Sequence, residues 1–268
     1  MPEATFDNPA GRLWAALDYL RDHGQRSSDQ KPIKSRSLLV DYFGIDADDE
    51  AAYYDRVSAL LRLPVEIRQA VDGLEDPVVS PEKLTRPLRS VQALLSANVT
   101  GRENAHRLRV QITDAIMNDL DICSDVLSRT ASAVVINDDT LTEIRDAAAE
   151  LIQAILDDET LPPAVKQTLL RHAHHVLRTV DEYKVAGGEA VVDAWDTLLG
   201  AAARNKSHVR PSPRVWAAFK NLGAIVATIV TIASAPESIV NGIAYISDMF
   251  AIEAPTLAPG DSPPSEVV

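Results

Sequence analysis

Cysteine occurs once in the 268 residues, at Cys123. One thiol can build neither an intrachain disulfide nor a multi-cysteine zinc site. Cys123 falls on the apolar face of an expected helix, where it reads as a small buried hydrophobe rather than a nucleophile. Aromatic residues make up only 5% of the chain, so the core has to be mainly aliphatic, which suits helix-on-helix packing. The N-terminus, Met1-Pro2-Glu3-Ala4-Thr5, lacks a basic stretch followed by an apolar one. No secretory signal is therefore expected, and the expected location is the cytoplasm.

Catalytic and cofactor signatures are equally scarce. There is no Gly-rich phosphate loop, since Gly187-Gly188 is not followed by Lys-Ser or Lys-Thr. No G-x-S-x-G elbow occurs. The histidine cluster Arg171-His172-Ala173-His174-His175 has no two histidines four residues apart, so a facing metal pair is not expected. Glu103-x-x-His106 matches half of a di-iron pattern but lacks its second copy and the two further inward Glu residues. Asp46, Asp48 and Glu50 start like a calcium loop, yet Ala51 occupies the required glycine position and Val57 the final ligand position. These acids instead suit a helix N-terminus. No metal, cofactor or catalytic residue is assigned. A formal net charge of −13 also makes nucleic acid an unexpected partner, because phosphates repel such a chain.

What the sequence has in quantity is helical periodicity. Leu13, Leu17 and Leu20 recur at helical spacing, with Asp7 or Asn8 as the cap, Pro9 in the first turn and Gly24 at the end. Residues 38–100 carry Pro64, Pro77, Pro81 and Pro87, which predicts several short helices. Leu108, Ile112, Ile116, Leu120, Cys123 and Leu127 predict one long amphipathic helix. Thr140 with Glu143 reads as a capping box for the next, which continues through Ile144, Ala148, Leu151 and Ile155. Pro162-Pro163 opens another, with Val165, Leu169, Ala173, Val176, Val180 and Tyr183 as its stripe and Gly187-Gly188 as its end. Val191, Trp195, Leu198 and Ala202 mark one more. The expected fold is all-α, a multi-helix bundle with a C-terminal hydrophobic helical hairpin and a disordered tail.

The C-terminal segment stands apart. No acid lies between Asp196 and Glu237, while Arg204, Lys206, Arg210, Arg214 and Lys220 fall in that interval. Asn221 to Pro236 then carries no charge at all. Counted from Val215, with Lys220 snorkelling, the apolar stretch approaches the ~20 residues that a bilayer span needs. Gly223, Ala227 and Thr231 are small residues four apart that would let another helix approach closely. Trp216 and Tyr245 suit a lipid interface. The same features fit a buried helix of a soluble bundle, and the β-branched run Ile225–Ile232 leaves even a buried strand open.

The expected organisation is a short-helix region over 1–100, a long-helix bundle over 101–204, a basic loop over 205–214, the hairpin over 215–252 and the tail over 253–268. The functional expectation is a non-enzymatic protein that binds a partner through its bundle and meets the inner membrane face through its hairpin. A toxic or defence effector of a bacterium or phage fits that layout. The alternative is a soluble protein–protein interaction module whose hairpin completes the core or an oligomer interface. The expected partners are accordingly an anionic membrane surface, a protein, or further copies of the chain.

Overall fold

A computed structural model describes residues 8–24, 33–98, 104–130, 135–205 and 212–232. Every described residue belongs to one compact unit. The second arm of the expected hairpin, with Tyr245, and the expected tail therefore lie outside the described residues.

The fold is all-α. In chain order the helices are α1 (Pro9–His23), α2 (Ser35–Phe43), α3 (Glu50–Asp72), α4 (Pro81–Thr85), α5 (Leu88–Asn98), α6 (Ala105–Gln111), α7 (Asp114–Thr130), α8 (Asp138–Asp157), α9 (Pro163–Asp181), α10 (Tyr183–Asn205) and α11 (Pro213–Ile232). Among the described residues the β-structure amounts to a lone antiparallel bridge between Lys34 and Asn104.

Local chemistry explains most of the helix starts. Asn8 accepts from the N–H groups of Ala10 and Gly11 (3.0 and 2.9 Å), and Pro9 opens α1 with no N–H left to satisfy. Asp49 caps α3 by accepting from Ala52 N–H at 2.9 Å; of the acids expected to favour a helix start, Glu50 lies in its first turn. Asn104 caps α6 in the same way.

Four expectations need correction. Pro64 does not break its helix: α3 runs unbroken from Glu50 to Asp72 with Pro64 buried inside it. Its interior cost of ~3 kcal/mol is outweighed by burial of Tyr53, Val57, Leu60, Leu63, Ile67 and Val71. The single helix expected through Leu108–Leu127 is two, because the chain turns at Ile112 (φ −80°, ψ 86°) and Thr113. Steps of four residues precess about 40° each around a helix, so the apolar line would have wound off the core. The break resets it, burying Met117 and leaving Ile116 only half-buried. The cap of α8 is Asn137, which accepts from Thr140 N–H at 2.8 Å; Thr140 sits one turn inside. Finally, α9 ends at Asp181, so Tyr183 opens α10 instead of closing the α9 stripe, and Gly187 lies within α10 as a kink (φ 79°, ψ 174°).

Two cores result. The first gathers α1 to α7 around Leu13, Leu17, Leu20, Leu60, Leu63 and Leu120, with α1 central against α3, α6 and α7. The second is a ring in which α8 packs on α9, α9 on α10, α10 on α11 and α11 back on α8. The start of α10 joins them: Val185 enters the first core, and Glu182 forms a buried ion pair with Arg56 of α3 at 2.7 Å.

Candidate functional site

The segment singled out by charge and hydropathy is α11 and its approach. The β-branched run Ile225–Ile232 is helical, so the strand alternative falls. Ser212 starts the helix by accepting from Trp216 N–H through its carbonyl (3.1 Å), and Pro213 occupies the first turn. Val215, Ala218, Phe219, Leu222, Val226 and Ile229 are buried. Their spacing of 3, 1, 3, 4 and 3 forms one face, which meets α8 and α10.

Aromatic contacts fix the helix at its upper end. Trp195 of α10 lies 5.0 Å from Phe219, centroid to centroid, and Trp216 stacks on Phe219 at 5.9 Å. Gly223 abuts the Trp195 indole so closely that a methyl group there would stand 2.8 Å from Cζ2. The small residue thus admits a tryptophan of the same bundle. Ala227, one turn on, is half-buried, and Thr231 belongs to the last turn of the helix.

The basic residues divide. Arg214 forms an ion pair with Asp157 at 2.8 Å, with both side chains exposed. Lys220 lies 5.4 Å from the Trp216 ring, a cation–π contact. Arg204 is exposed near the end of α10. Lys206 and Arg210 lie outside the described residues. Among the described residues no helix is long and apolar enough to cross a membrane.

Asp158 is the anchor that sequence reasoning missed. Its carboxylate is buried and accepts from Thr160 N–H (2.7 Å), Thr160 Oγ1 (2.6 Å), Leu161 N–H (3.2 Å) and, through its other oxygen, Ser212 N–H (2.9 Å). One side chain thus organises the α8–α9 turn and ties it to the start of α11. Burial raises its pKa, but the hydrogen bonds from Thr160 and Ser212 prevail and hold it well below the usual carboxylate range. Its signature, D-x-T-L before two prolines, is visible in sequence as a local turn; the bond to Ser212 is not.

The other candidates resolve as follows. Cys123 is a buried free thiol whose pKa burial pushes up to about 11. His174 and His175 are exposed, while His172 is half-buried. The His172 pKa is lowered by burial and then by Arg171, Arg204 and His175. Among the described residues no three His, Cys, Asp or Glu side chains are grouped to hold a metal ion. A cavity of about 360 Å³ opens between α1, α3 and α10, with Asn8, Arg12, Glu66, Gln69, Glu189 and Asp193 at its wall. Neither His106 nor His172 lines it. Arg12 pairs with Glu66 at 3.3 Å, and Asn8 is occupied by Ser124 and Ser128. Its wall offers no nucleophile set beside a base.

No family, no curated protein and no solved structure matches this chain.

Proposed function

We propose that this chain is a non-enzymatic helical binding module, with α11 as the closing helix of its second bundle. The contact of Gly223 with Trp195 carries this reading, because it spends the small residue on the chain's own core. Burial of five large side chains of α11 supports it. At about 1.5–3 kcal/mol each, they contribute roughly 10 kcal/mol of apolar burial to the bundle, and the apolar faces of α8 and α10 packed against them would meet water if the helix left. Arg214, the basic residue nearest the apolar run, is likewise engaged with Asp157.

Replacing Gly223 with Leu tests this. Overpacking against a rigid indole costs about 1–3 kcal/mol, and each kcal/mol lowers Tm by about 2–4 °C at this chain length. Circular dichroism melts of the full chain should show that fall. An unchanged Tm would mean that α11 is not part of the folded core, and the membrane-directed reading would take its place.

A further inference from the structure

The solvent faces of α8 and α9 carry opposite charge. On α8, the buried line Leu141, Ile144, Leu151 and Ile155 leaves Asp139, Glu143, Asp146 and Glu150 on the outside, all exposed. Their spacing of 4, 3 and 4 keeps them in one stripe about 16 Å long. The one cation of α8, Arg145, is engaged by Asp181 at 2.9 Å. On α9, the buried line Leu169, Ala173, Val176 and Val180 leaves Arg171, His174, His175 and Arg178 outside, all exposed. Their spacing of 3, 1 and 3 again makes one stripe, and α9 has no acid before Asp181. Arg204 of α10 adds to the same positive region, since it acts on His172 together with Arg171 and His175. None of the eight stripe residues has an ion-pair partner among the described residues.

A basic stripe in a chain of net charge −13 calls for an anionic partner, but not a uniformly anionic one. The α8 stripe lies on the helix packed directly against α9 and would be repelled by an anionic bilayer or a nucleic acid. The fitting partner carries both signs side by side. This chain is such a partner. In a two-fold pair with the axis along the hairpin, α8 of one copy lies across α9 of the other, and the reverse. The Arg145–Asp181 contact also sets the level. Counted in antiparallel steps from it, Arg178 stands level with the turn Asp146–Glu150. Pairing therefore brings Arg178 of each copy to the acids of the other.

We infer that the α8–α9 face is a self-association surface, occupied by a second copy of this chain. The inference rests on the binding-module reading and gives that module its partner.

The test is the mass of the full chain by light scattering and sedimentation over a range of concentrations. The wild type should dimerise, and high salt should weaken the dimer. Arg171→Glu with Arg178→Glu makes both stripes acidic; Asp146→Arg with Glu150→Arg makes basic the end of the α8 stripe that stands level with Arg178, so that like charge meets like charge there. Each double variant alone should be monomeric, with a dissociation constant raised about tenfold or more. Mixed one to one, the two should pair with each other. All four positions are exposed, and circular dichroism checks that both variants remain folded. A wild type monomeric at every concentration in low salt overturns the inference, as does a mixture of folded variants that fails to pair. If that monomer also stays off lipid vesicles, the binding-module reading survives alone; if it inserts into them, that reading falls too.

Discussion

Asp158 shows how much one side chain can hold. Three of its donors are in the α8–α9 turn and a fourth, Ser212 N–H, comes from 54 positions away. Because its pKa is depressed in the fold, the stabilisation is complete above the ordinary carboxylate value of about 4 and drains as pH falls below it. Asp158→Asn should cost about 1–3 kcal/mol at neutral pH, since an amide N–H would face another donor or leave one unpaired. The variant should also lose less stability than the wild type between about pH 5 and pH 2. Melts across that range check both; a neutral-pH Tm equal to the wild type would show that the bonds carry no weight. At this scale the sequence is legible where partners are neighbours, as at the start of α1, where Asp7 or Asn8 reads as the cap and Asn8 takes the role beside Pro9. It is silent where they are distant, as in the Ser212 bond or the placing of Trp195 over Gly223.

The elements were legible as apolar stripes but less so at their ends. Stripes name a buried face, and the faces of α8 and α9 match their reading. Breaks depend on competition. Pro64 loses to the apolar face of α3, whereas the four-residue steps around Ile112 gain more from a turn than from continuing. Gly187 is the sharpest case. It was taken as a terminator, yet it lets α10 change course while staying packed on α9. Its φ of 79° with ψ of 174° lies in a region essentially reserved for glycine. Gly187→Ala should cost about 1–3 kcal/mol and lower Tm, read in the same melts. Gly188→Ala, one position on at ordinary helical geometry, provides the comparison. Equal effects at both sites would contradict a special role for Gly187.

The described residues form two helical cores that meet at the start of α10. The buried pair Arg56–Glu182 ties the α9–α10 junction to α3, with side chains only 10% and 13% exposed. A four-helix bundle was expected from helices through 108–127, 140–155, 163–183 and 191–202; the ring instead uses α8 to α11, and α7 packs on α1. Periodicity cannot say which apolar face meets which. The same ambiguity surrounds α11: a helix uncharged beyond Lys220 and rich in small residues suits lipid and a protein core alike, and only its neighbours decide. Flotation of the full-length chain with anionic vesicles, in low and in high salt, addresses this most directly. If α11 is spent on the bundle, the protein stays with the vesicle-free fractions at both salt concentrations. Flotation that persists in high salt would mean that the apolar helix enters the bilayer, contradicting the account.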